Sequence, residues 1–239
     1  MSDYTILKIK DKSDSYYTHL KDIFDIPFRL IIVGRSFLSG KSTVILNLLL
    51  RDTFYKDHFK GDNIFIVSNN KMDMKMQILK EEKDVPSENF MEFSESNLEM
   101  IYEKIEEDAM EAVNQNEKPV NSLIVLDDCA FGGDLKSKTN GTLSRIMCNG
   151  RHVNLSCIVT SQKYTQLSTT VRSNASGAIL FGNSMKEVDS MEADLNYLDN
   201  KRDFVKLFRK ATDGRNKFLV VNFSNDDIYL DSEFKVIAL

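Results

Sequence analysis

Three consecutive residues, Gly40, Lys41 and Ser42 in the stretch VGRSFLSGKST, have the types and spacing that hold a polyphosphate. Backbone N–H groups at a helix start, the positive end of the helix dipole and a lysine ammonium converge on phosphate oxygens in such a loop, and the serine hydroxyl binds Mg²⁺. The standard pattern places its first glycine five positions before Gly40, where this chain has Arg35; Gly34 lies six before. Either the loop carries one extra residue, or Arg35 replaces the glycine and leans toward phosphate itself. The candidate cradle is Gly34, Arg35, Ser36, Ser39, Gly40, Lys41, Ser42 and Thr43.

A second element raises the weight of the first. The run LIVLDD is four apolar residues ending in two carboxylates, Asp127 and Asp128. In enzymes built on a phosphate loop, the first such acid holds Mg²⁺ and the next can polarise the attacking water. Asp127 is assigned to the metal and Asp128 to the base. Gln162 ends a later apolar run, in TSQ, and reaches the γ-phosphate if its strand lies between the loop strand and the LIVLDD strand.

The elements that must position these groups are legible from their periods. FRLIIVG, from Phe28, reads as a buried strand ending at a glycine. KSTVILNLLLRD follows with Val44, Ile45, Leu48 and Leu49 at helical spacing. Further strands are expected over 63–70, 122–128, 155–162 and 177–183. A long acidic helical region, about 71–118, separates the second from the third; Ser96 and Glu99 form a capping box. Beyond them Leu98, Ile101, Ile105 and Ala109 make one apolar stripe opposite Glu103, Glu106, Glu107 and Asp108. Strands and helices alternate, so the fold class is α/β with a mainly parallel central sheet flanked by helices. The tail, KFLVVNFS then DIYLDSEF, reads as a terminal strand pair, and residues 1–27 read as an arm or a strand.

Composition bounds the partners. With 42% hydrophobic and 28% charged residues in 239, the chain suits one large globular α/β domain or a domain with a small appendage. A net charge of −5 excludes a uniformly basic surface, so nucleic acid must be held by a local patch or an assembled ring. Cys129, Cys148 and Cys157 are odd in number and unclustered, which argues against a disulfide frame or zinc site and for a reducing compartment. No run approaches the roughly 20 apolar residues of a membrane span. A cluster of Lys201, Arg202, Lys206, Arg209, Lys210, Arg215 and Lys217, interleaved with Phe204, Leu207 and Phe208, is a helix with a cationic face or an ordinary solvated one.

Taken in order, GRSFLSGKST, LIVLDDC, GRHVNLSCIVTSQ and LSTTVRSN resemble the viral genome-packaging ATPases of the FtsK/HerA superfamily, in the group found in large nucleocytoplasmic DNA viruses and virophages. The likeness spans roughly residues 28–185. It implies a RecA-like phosphate-loop NTPase of the ASCE division, using ATP and Mg²⁺, that forms a homo-oligomeric ring, a pentamer or hexamer. Such a ring drives double-stranded DNA, independent of sequence, into a preformed capsid through a vertex protein, in the host cytoplasm or attached to the virion. It also implies an arginine that stabilises transition-state charge in a neighbouring subunit: Arg151 first, Arg172 second. Lys136 and Lys138, in the loop after the two aspartates, would grip the DNA backbone. The pattern departs from the family at the early glycine and at Asp128, where related motors often carry glutamate. Two other classes share the GKS triplet: a small-molecule or nucleotide kinase, and a partition or transposition accessory ATPase. The acid pair on a separate strand and the arginines beyond favour water as the phosphate acceptor.

Overall fold

In a computed structural model, residues 12–36, 39–70, 72–129, 141–226 and 228–237 are described. Eight strands form one sheet in the order β3-β2-β4-β5-β1-β6-β7-β8. They are β1 (Arg29–Val33), β2 (Ile64–Ser68), β3 (Phe90–Met91), β4 (Ser122–Asp127), β5 (Leu155–Ser161), β6 (Gly177–Phe181), β7 (Phe218–Asn222) and β8 (Tyr229–Leu230). Every pairing from β3 to β6 is parallel; β7 and β8 add an antiparallel edge. The expected mainly parallel α/β sheet is therefore present.

Alternation along each strand sends side chains to two separate cores. Ile31, Val33, Ile124, Leu126, Cys157 and Val159 face one layer. It is covered by α3 (Glu95–Asn114), α4 (Thr142–Asn149), α5 (Thr169–Ser173), α6 (Met185–Leu195) and α7 (Lys201–Ala211). Leu30, Ile32, Leu123, Val125 and Ile158 face the other, under α1 (Lys41–Leu50), α2 (Met74–Glu82) and the segment carrying Phe24, Ile26 and Phe28. Both faces are apolar because parallel strands are buried on both sides, which is why these strands read as continuous hydrophobic runs.

Four local details depart from the sequence reading. The cap of α3 is Ser94, whose hydroxyl accepts from the Asn97 N–H at 3.0 Å; Ser96 sits inside the first turn. The stretch FSES offers two serines, and only Ser94 has the extended backbone, φ −147°, that a cap requires. The region 71–118 holds, besides α2 and α3, the two-residue strand β3, which pairs in parallel with β2 through Ile66↔Phe90 and Val67↔Met91. The strands end earlier than the apolar runs suggest, at Ser68, Asp127, Ser161 and Phe181, because the polar residues that follow turn away from the ladder. Of the stretch 1–27, which reads as an arm or a strand, the described residues form a 3₁₀ turn over Lys12–Tyr16 and an antiparallel bridge between Thr18 and Ile26.

The stripe of α3 is as expected, with Leu98, Ile101, Ile105 and Ala109 buried together with Tyr102. In α7 the interleaved Phe204, Leu207 and Phe208 point into the core, so the basic residues lie on the outer side. Among the described residues no helix is long and apolar enough to cross a membrane.

Candidate functional site

The carboxyl ends of β1, β4 and β5 meet at one edge of the sheet, and β5 lies between the other two. The condition set by the sequence for Gln162 is therefore met. Ligands in open α/β sheets bind in the crevice outside this edge.

β1 runs out through Gly34, whose N–H still donates to the Ser161 carbonyl at 3.0 Å. A side chain at Gly34 would place its Cβ 2.6 Å from Ser39 Cβ and 2.9 Å from Phe181 Cβ, both closer than real contacts. No side chain fits at Gly34, which favours a loop one residue longer than standard over one in which Arg35 stands for the glycine. Arg35 is exposed, and its carbonyl accepts from the Ser39 hydroxyl at 2.6 Å. Gly40 closes the loop in the left-handed region, φ 79°, at the start of α1.

Lys41 is buried, 7% exposed, and its Nζ donates to the Gly34 carbonyl at 2.8 Å, so the ammonium is anchored across the loop it serves. Burial lowers its pKa from the ordinary lysine value, against the pull of Asp128 and Asp127, which raise it. Both carboxylates therefore sit within electrostatic reach of the lysine. Ser42 and Thr43 occupy the first turn of α1, half-buried and exposed respectively, and Ser36 is exposed.

The two aspartates are held differently. Asp127 ends β4, is 4% exposed, and accepts from the Thr160 hydroxyl at 2.9 Å. Its pKa is raised, chiefly by burial, with Asp73, Asp128 and Lys41 as nearby charges and the Thr160 hydrogen bond acting in the opposite sense. Asp128 takes φ 51°, a left-handed conformation uncommon outside glycine, asparagine and aspartate. This turns its carboxylate away from the strand direction and toward β5, where Oδ1 accepts from Gln162 Nε2 at 3.1 Å. The Asp128 N–H donates to Thr160 Oγ1 at 2.8 Å, so one threonine hydroxyl links both acids.

Ser42 and Asp127 offer hard oxygen donors of the kind Mg²⁺ takes. Among the described residues there is no group of three or more His, Cys, Asp or Glu placed to hold a metal ion.

The two arginines lie elsewhere. Each precedes its strand, Arg151 before β5 and Arg172 before β6, which places both at the amino edge, opposite the phosphate loop of their own chain. Arg151 is exposed, and its Nε donates to His152 Nε2 at 3.3 Å. Arg172 is engaged internally: its guanidinium is hydrogen-bonded to Asp194 and lies 4.9 Å over the Tyr164 ring. Asn154, from the same RH-x-N stretch, is fully buried with φ 55° and donates to Pro119 O at 2.7 Å and Asn121 Oδ1 at 2.8 Å. Its role is to lock the turn that carries Arg151. Lys136 and Lys138 fall outside the described residues.

With this geometry in view, comparisons with known proteins decide the family. The model of the Poxvirus A32 protein family matches residues 16–237. The chain belongs to the Poxvirus A32 protein family. The DNA packaging protein OPG160 of vaccinia virus (strain Copenhagen) is 26% identical over 222 residues, covering 90% of this chain and 76% of that protein. Among solved structures, B204, the DNA-packaging ATPase of Sulfolobus turreted icosahedral virus, superposes with a TM-score of 0.56 at 14% identity, covering 83% of this chain and 94% of that one. The EssC ATPases 2 and 3 of Geobacillus thermodenitrificans give a TM-score of 0.58 at 14% identity, over 85% of this chain and 38% of that one. At these identities the structural likeness is one of fold alone. The resemblance drawn from the four motifs is thereby met.

In this A32-family chain three residues near the cradle escaped the sequence reading. Thr160 couples the two acids, and the only signal was its position two before Gln162 in a strand, which puts both on one face. Asp73 caps α2 by accepting from the Lys75 and Met76 N–H groups, and it is close enough to Asp127 to raise that pKa. Lys75 donates from Nζ to Thr43 Oγ1 at 2.7 Å across the α1–α2 contact. The last two come from a connection after β2, and nothing in their spacing pointed to the loop strand.

Proposed function

We propose that this A32-family chain is an ATP-hydrolysing motor that moves double-stranded DNA into a preformed viral capsid. One observation carries the enzymatic half: β5 lies between β1 and β4, so that Lys41, Asp127, Asp128 and Gln162 come from three adjacent strand ends onto one edge. Kinship with a vaccinia protein named for DNA packaging supports the motor half.

In this reading the phosphates lie over the α1 amino terminus, where Gly40, Lys41, Ser42 and Thr43 present N–H groups, ammonium and hydroxyls. Gly34, Arg35, Ser36 and Ser39 form the near side of the cradle. Ser42 and Asp127 would hold Mg²⁺, which would neutralise phosphate charge. Asp128 accepts a proton from water, and Gln162, tied to its Oδ1, fixes the water's direction.

In this reading positive charge at the γ-phosphate also comes from a neighbouring subunit. Arg151, exposed at the amino edge, supplies it to the neighbour in a ring of five or six copies. Arg172 is the second choice, because using it means breaking the Asp194 pair. Lys136 and Lys138 contact DNA phosphates in the pore, and a capsid vertex protein receives the ring. The setting is the host cytoplasm or the virion.

Subunit mixing tests the arrangement. Lys41→Ala and Arg151→Ala proteins each hydrolyse little ATP alone; mixed, they form interfaces with one intact lysine and one intact arginine and regain part of the turnover. Mixtures as inactive as the parents would remove Arg151 from the neighbour's site. Phosphate transfer to a small acceptor, unaffected by long duplex DNA, would favour a kinase.

A further inference from the structure

Just past the ends of β5, β1 and β6, three neighbours in the sheet, lies a cavity of about 380 Å³. Arg35, Gln162, Lys163, Thr165, Asn183 and Lys186 line it. It borders α6, whose Val188 and Met191 belong to one core layer, whereas α1 packs on the other. The cavity therefore lies across the sheet edge from the helix that carries Lys41.

Its charge is lopsided. Arg35, Lys163 and Lys186 are exposed, and among the described residues none of the three forms an ion pair. The acid in the lining, Glu187, is buried and already occupied: its two oxygens accept from the Thr165 N–H at 3.0 Å and the Thr165 hydroxyl at 2.9 Å. Asn183 turns its oxygen to the Ser184 N–H at 2.9 Å, which leaves the buried Nδ2 without a partner among the described residues. A buried amide donor costs free energy until something accepts from it. Beside it α6 begins at Met185 with no side chain capping its first N–H groups. What the cavity leaves unmatched is positive charge and a donor.

We infer that this cavity binds a tetrahedral phosphate oxyanion, and that its occupant is the inorganic phosphate cleaved from ATP, on its way out. The inference rests on the ATP reading above. Gln162 belongs to both places, since it donates to Asp128 at the reacting edge and lines the cavity. Lysines suit such an occupant, because each is a point charge with three rotatable donors. A separate exit on the α6 side lets phosphate depart while ADP is still seated over α1.

The test titrates inorganic phosphate into the ATPase reaction of the full chain, with turnover followed through ADP so that added phosphate does not mask the signal. Phosphate in this cavity leaves the cradle free, so inhibition of the parent should lower kcat without a matching rise in KM. Purely competitive inhibition would put the ion in the cradle and overturn the inference. In water a neighbouring unit charge is worth roughly fivefold in affinity, so Lys163→Gln/Lys186→Gln should weaken the inhibition at least about tenfold, with KM for ATP within about twofold. Equilibrium dialysis of radiolabelled phosphate against the ADP-saturated protein should show the same loss. Equal phosphate binding by parent and variant would overturn the inference, as would a loss confined to duplex DNA affinity, which would give the cavity to the DNA backbone. Both lysines are exposed, so the variant should melt with the parent. A parent that neither binds ADP nor hydrolyses ATP refutes the ATP reading itself.

Discussion

Replacing Gly34 by alanine asks whether the early glycine is the motif's own. The new methyl would sit 2.6 Å from Ser39 Cβ and 2.9 Å from Phe181 Cβ. Carbon atoms in contact prefer about 3.5–4.0 Å, so the overlap is roughly 1 Å on two sides. Phe181 is buried and belongs to a strand, which leaves Ser39 to move. Overpacking of this kind costs about 1–3 kcal/mol. At about 2–4 °C per kcal/mol for a chain of this size, the melting temperature should fall by about 2–12 °C. Moving Ser39 also moves Gly40 and the start of α1, and with them Lys41, whose Nζ is tied to the Gly34 carbonyl at 2.8 Å. A displacement near 1 Å in a catalytic group lowers turnover by about a hundredfold. Arg35→Ala is the control: the side chain is exposed, so melting should stay within about 2 °C. Differential scanning fluorimetry and a phosphate-release assay read both. A Gly34→Ala protein that melts and turns over like the parent would refute the argument that the loop is lengthened by one residue after Gly34.

Asp127→Asn should raise the melting temperature of the nucleotide-free protein at neutral pH while lowering turnover at least about a hundredfold, since the metal's contribution is several kcal/mol. Because burial raises the Asp127 pKa in the fold, the native state binds the proton more tightly than the unfolded chain, and the group's contribution to stability is lost as pH rises through the folded value. The gain from asparagine should accordingly vanish below the ordinary carboxylate range, and a gain that persists in acid would contradict it. Asp128→Asn keeps a residue tolerant of φ 51°, so the fold should melt within about 2 °C of the parent while turnover drops about 10²–10⁴-fold. Gln162→Ala, which removes a hydrogen bond to a charged group, should cost about 10–100-fold in turnover with little change in nucleotide affinity; a loss seen only in affinity would remove Gln162 from water positioning.

How much of this was written in the sequence follows from the range of the forces involved. β1, its loop and α1 were legible because strand, turn and helix are contiguous and each carries its own period. β4 and its acid pair were legible because a strand buried on both faces is apolar until it stops. The two residues of β3 have no period to read, and its pairing with β2 is decided by a connection of over twenty residues. Ser94 and Ser96 differ only in backbone angle, which composition does not encode. Thr160, Asp73 and Lys75 join the site through hydrogen bonds and fields that cross between strands or helices, contacts that no local pattern announces.

The account's central claim is that ATP cleavage at this edge of the sheet moves the protein along duplex DNA. Displacement of a labelled third strand from one end of a linear duplex measures that movement directly. The parent protein should displace it with ATP and Mg²⁺ and not with a non-hydrolysable analogue, and Lys41→Ala should not displace it at all. Brisk ATP hydrolysis with the third strand left in place would contradict the claim.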